Sequence, residues 1–160
     1  MPLEGKEKPP NTPDNPRVGA RLLSAGRAAG VEFTGKCDRA PNTVNAHCLL
    51  RLCEEKLGSK AQHNLQEALF KSYFHDGDYP NVETLTALAV GVGLDADEVR
   101  DFLNSGIAED AIRQEAASYS RRGVNGVPFF LMNGKPMFSG AQSEATFLSA
   151  FDEAPPAGGE

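Results

Sequence analysis

Apolar residues recur at helical spacing through the middle of the chain. Val44, Cys48, Leu49, Leu52 and Cys53 fall at i, i+4, i+5, i+8 and i+9, one stripe of a helix. Asn42 or Thr43 can cap it, and Gly58 stops it. A second helix is expected from about Lys60, with Leu65, Ala68, Leu69 and Tyr73 on one face and Phe70 and Phe74 beside them. It ends at His75-Asp76-Gly77-Asp78. Asn81 caps a third, whose stripe is Val82, Leu85, Leu88, Ala89 and Val92. Asp95 with Glu98 resembles a capping box for a fourth, carrying Val99, Phe102 and Leu103. After Gly106 a fifth runs through Ile112, Ala116 and Tyr119. Arg121 and Arg122 suit its negative end, and Gly123 suits a left-handed cap. Upstream, Pro16 can open a short helix that ends near Gly30, and residues 31–41 form an irregular connection.

The period then changes. Val127 to Met132 reads as a strand, Asn133-Gly134 as a type I′ turn, and Lys135 to Phe138 as the returning strand. A last helix carries Phe147, Leu148 and Phe151. Both faces of the first strand are apolar, as in a strand buried between two layers. A lone hairpin is unstable, so Phe129, Phe130 or Leu131 is expected to stay partly exposed and to favour homo-oligomers.

Composition bounds the core. Five of the eleven prolines lie in the first sixteen residues. Residues 1–15 therefore read as a disordered Pro-rich N-terminus, and 154–160 as a disordered tail. The formal net charge of −6 speaks against a nucleic-acid partner. No apolar run is long enough for a membrane span and no signal core opens the chain, so a cytoplasmic location is expected.

The titratable residues suggest little chemistry. Cys37, Cys48 and Cys53 form no Cys-x-x-Cys pair and no zinc spacing. Cys48 and Cys53, five apart, are turned by about 140° on a helix, so their sulfurs do not face one another. They read as buried small apolar side chains. His47, His63 and His75 lack metal-site spacing, and Asp76 with Asp78 lacks the other ligands of a calcium loop. No catalytic residue, metal or cofactor is assigned.

One arrangement carries a resemblance. The run Gly123-Val124-Asn125-Gly126-Val127-Pro128-Phe129-Phe130, then Asn133-Gly134-Lys135, then Ser139-Gly140-Ala141-Gln142 resembles the C-terminal part of DsbA-like thioredoxin-fold proteins. With Ala40-Pro41-Asn42-Thr43-Val44-Asn45-Ala46-His47 it is most similar to the FrnE-like branch. The resemblance implies an α+β fold: a DsbA-like thioredoxin domain over 16–153, with a mostly helical insertion over 42–122 and a hairpin and last helix over 127–153. It implies disulfide oxidoreductase chemistry in full-length relatives and a cis bond before Pro128. It also implies a substrate site at Gly126, Val127 and Pro128, where the Val127 backbone meets an extended peptide, another thiol-containing substrate or glutathione. Family members begin with a strand leading into Cys-x-x-Cys at a helix start. That part is absent before residue 17, so the chain is expected to be truncated and redox-inactive.

Asn42, His47 and Gln142 are accessory candidates. His47 can tune a thiolate or simply pack on its helix. Gln142 can help bind a carboxylate or merely open the last helix. Two other readings stay open: a non-catalytic module that binds a peptide or partner, and a relative of the kappa-type glutathione transferases or hydroxychromene-carboxylate isomerases.

Overall fold

The computed structural model describes residues 4–154. Seven α-helices and two short antiparallel ribbons occur among them, and the chain divides into two compact units, residues 1–113 and 114–160. Residues 1–3, and the tail expected beyond Ala154, lie outside the described residues.

The first unit is built on α2 (Val44–Leu57), α3 (Ser59–Phe70), α4 (Val82–Gly91) and α5 (Ala96–Ser105). Their apolar stripes meet in one core of Cys48, Leu49, Leu52, Cys53, Leu65, Leu85, Ala89, Leu94, Val99 and Leu103. Caps set where the helices start. Asn81 Oδ1 accepts the Thr84 N–H at 2.8 Å, and Asp95 Oδ1 accepts those of Asp97 and Glu98 at 3.0 and 2.9 Å. The Asp95 half of the expected capping box is present. Glu98 instead turns its carboxylate to Lys56, which joins α5 to the end of α2.

Beyond Phe70 the helix widens into a π-helical turn, Lys71–Asp76. Ser72 O accepts the N–H groups of Gly77 and Asp78 at 2.8 and 3.0 Å. Gly77, at φ 92°, reverses the chain against Lys36, where a Cβ would collide with the Lys36 side chain. The Asp76 carboxylate is held below the usual range by hydrogen bonds from Lys71, first, and His75. Asp78 accepts from Ser72 Oγ at 3.0 Å.

The segment read as a disordered N-terminus has definite partners. β1 (Lys6–Glu7) pairs antiparallel with β2 (Arg39–Ala40). Lys8 Nζ donates to Tyr73 Oη at 2.7 Å and to Cys37 O at 3.3 Å, and Tyr73 Oη donates to Arg39 O at 3.0 Å. Arg17 donates to the carbonyls of Pro9, Gly35 and Lys36. Composition hid this because the ties are polar and long-range. The first helix, α1 (Ala20–Ala28), starts four residues after Pro16.

The unit boundary falls inside α6 (Glu109–Arg121), ahead of the expected limit at residue 122. The fifth apolar stripe explains the difference. Ile112 packs against the first core, whereas Ala116 and Tyr119 are exposed. The second unit contains β3 (Phe129–Met132), β4 (Lys135–Ser139) and α7 (Glu144–Glu153). Asn133 and Gly134 take φ of 49° and 78°, the left-handed pair a type I′ turn requires. Phe147 of α7 meets Phe130 and Phe138 of the hairpin edge-on, at 4.9 and 5.0 Å between ring centroids. Phe129 and Phe130 are half-buried and Leu131 is exposed.

Among the described residues, Thr86 Oγ1 is the one buried side-chain polar atom without a hydrogen bond. Burying a hydroxyl unpaired costs on the order of 1–3 kcal/mol, and valine has nearly the same shape. Thr86→Val is therefore expected to raise stability by about 1 kcal/mol in urea unfolding. A loss of stability would mean that the hydroxyl finds a partner in solution.

Candidate functional site

The site grows from the end of α6. Gly123, at φ 89°, donates its N–H to Ser120 O, and Val124 N–H reaches Tyr119 O, both at 3.1 Å. This double closure is a Schellman motif, and it ends the helix where the sequence placed its stop. The chain then runs out through Gly126 to the Val127–Pro128 peptide, which is cis, as the resemblance implied. Pro128 O accepts the Gly140 N–H at 2.7 Å, continuing the ladder one step past the Phe129–Ser139 pair.

Val127 lies just beyond that last rung. It is 84% exposed, and its backbone N–H and C=O make no hydrogen bond among the described residues. Gly126 has open space on its side-chain face. An N–H and a C=O left free next to a strand are what an added extended segment pairs with. Gln142 belongs to the same end of the hairpin, where its Nε2 donates to Ser139 O at 2.9 Å. It braces the turn. Ser143 caps α7, accepting the Thr146 N–H at 3.3 Å, and Glu144 in the first turn works against an anion there.

The other two candidates belong to the first unit. Asn42 Oδ1 accepts the Val44 N–H at 3.1 Å and so opens α2. His47 is an exposed residue of α2 whose N–H bonds Thr43 O in the helix ladder. All three thiols are also in this unit and buried: Cys37 at 4% exposure, Cys48 at 3% and Cys53 at 0%. Burial pushes the Cys48 thiol up, aided by the Glu109 carboxylate, and burial alone pushes Cys53 up. An attacking thiolate needs the opposite, a lowered pKa and access. The buried apolar role expected of these cysteines matches their surroundings.

Sequence reading missed a cavity of about 480 Å³ in the first unit, lined by Arg39, Asn45, Tyr79 and Asn104 among others. Its residues come from four separated stretches, so no local motif marks it.

Residues 2–152 match the family model of the DSBA-like thioredoxin domain, including most of the Pro-rich segment that composition had set aside. Among solved structures, the chain is similar to a probable DsbA oxidoreductase from Streptomyces coelicolor, at 32% identity and a TM-score of 0.71. That alignment covers 85% of this chain and 60% of the other, so the chain spans less than two thirds of that structure's length. A search of the curated proteins found no match.

Proposed function

Because the chain belongs to the DSBA-like thioredoxin domain family, a disulfide oxidoreductase family, we propose that it supplies the client-binding side of thiol–disulfide exchange and not the attacking thiol. The observation that carries this reading is Val127, exposed, with both backbone hydrogen-bonding groups unpaired beside Pro128. An extended client segment would gain two main-chain hydrogen bonds there, as in strand addition. Cys37, Cys48 and Cys53 do not suit the nucleophilic role, since each is buried and none forms a Cys-x-x-Cys pair. The run from Ala40 to His47 favours the FrnE-like branch.

Two measurements test the proposal. In an insulin-reduction assay, the purified chain is expected to leave the rate with dithiothreitol alone unchanged. Turnover above a variant with all three cysteines changed to alanine would overturn the redox half. In an NMR titration with the peptide Ala-Cys-Ala, the Val127 amide is expected to shift. A Val127 signal that stays fixed up to about 10 mM peptide would overturn the binding half.

A further inference from the structure

The cavity of about 480 Å³ in the first unit has the size of a small-ligand site. It is assembled from β2, the first turn of α2, residues 79–83 and the end of α5, with the start of α6 closing it. Its polar groups fall into two sets. Some are already engaged: Arg100 holds Asp97 at 2.7 Å, Glu109 holds Arg113 at 3.1 Å, and Asn81 caps α4.

The others are not. Arg39 is half-buried, and its guanidinium lies 5.8 Å from the centre of the Tyr79 ring. Its nearest carboxylate, Glu7, is 3.9 Å away, too far for a hydrogen bond. A guanidinium offers five donors in a planar fork that fits a carboxylate. Half-buried Asn45 and exposed Asn104 have side-chain amides without partners among the described residues, and Glu83 forms no ion pair there. The cavity thus presents a loosely paired guanidinium with unfilled donors, the carboxylates of Glu4 and Glu83 without ion pairs among the described residues, and two amides that can each donate and accept.

We propose that this cavity binds a short zwitterionic peptide. The peptide carboxylate lies on Arg39, its ammonium group lies near Glu83, and its amide is met by Asn45 and Asn104. A simple anion would meet Glu4, Glu83 and Glu109 on the same walls, and a simple cation would meet Arg39 and Arg100. A ligand carrying both charges fills the open Arg39 donors and pairs the Glu83 carboxylate together. The inference is independent of the Val127 reading, since these residues all belong to the first unit.

The test is an NMR titration of the full chain with the dipeptide Ala-Ala, followed at the side-chain amides of Asn45 and Asn104. Saturable shifts at millimolar dipeptide are expected. Ala-Ala amide, which lacks the carboxylate, and N-acetyl-Ala-Ala, which lacks the ammonium, should each bind about tenfold more weakly. Arg39→Gln should weaken Ala-Ala by a similar factor and leave urea unfolding nearly unchanged, because Arg39 is only loosely paired in the fold. Glu83→Gln, at an exposed position, repeats the test from the ammonium side. The absence of shifts up to about 10 mM Ala-Ala would overturn the proposal. So would equal binding of the capped peptides, or unchanged affinity in both variants.

Discussion

Leu85→Ala is expected to destabilise the first unit by about 3 kcal/mol, within the 2–5 kcal/mol range of buried leucine truncations. Leu85 is fully buried in the core that α2, α3, α4 and α5 share. Removing its isopropyl group loses the transfer energy of the deleted carbons and leaves a cavity that rigid neighbours only partly fill. Net stabilities are on the order of 5–15 kcal/mol, so a large part of the whole is at stake. Val90, on the same helix and 49% exposed, provides the control. Val90→Ala should shift urea unfolding by no more than about 0.5 kcal/mol. Equal effects of the two variants would show that α4 does not bury its Leu85 face.

The second large effect concerns the thiols. All three cysteines are expected to react with a thiol reagent only through opening of the fold. With an opening free energy of about 5 kcal/mol, modification should run roughly 5 × 10³-fold slower in native protein than in urea. Stopped-flow reaction with a chromogenic disulfide counts the groups and gives both rates. A rapid native phase corresponding to one full thiol would show that a cysteine is open to solvent. Stability should also depend on pH with a definite sign. The Cys48 and Cys53 thiols are raised above the ordinary value of 9.0 in the folded chain. The unfolded chain therefore releases these protons first. Their contribution is fully present below that value and is lost as pH rises past it.

What could be read from the sequence was local. The stripe from Val44 to Cys53, the caps Asn81 and Asp95, and the Asn133-Gly134 turn each depend on residues within a few positions, and each appears in the structure. The stripe of α6 is covered only at Ile112, because spacing gives a shared face but not whether a neighbour covers it. The pairing of Lys6 with Ala40 and the bond from Lys8 to Tyr73 join residues far apart in the chain, and polar contacts leave no hydrophobic period to find. At the site, Gly126, Val127 and Pro128 came from the resemblance; spacing alone could not tell a cis from a trans bond there. The cavity of Arg39 and Asn104 depends on how the helices pack and had no signature in the chain.

The Lys8 amine, tied to a phenol and a carbonyl, separates the first unit into two kinds of cohesion. The helices hold by excluding water from carbon, a contribution salt does not screen. The leading strand holds by charge and hydrogen bonds at the rim, where water competes directly. Its detachment would leave the leucine interior closed while uncovering the Tyr73 phenol. This edge is where the unit would first exchange its amide protons and first admit a protease.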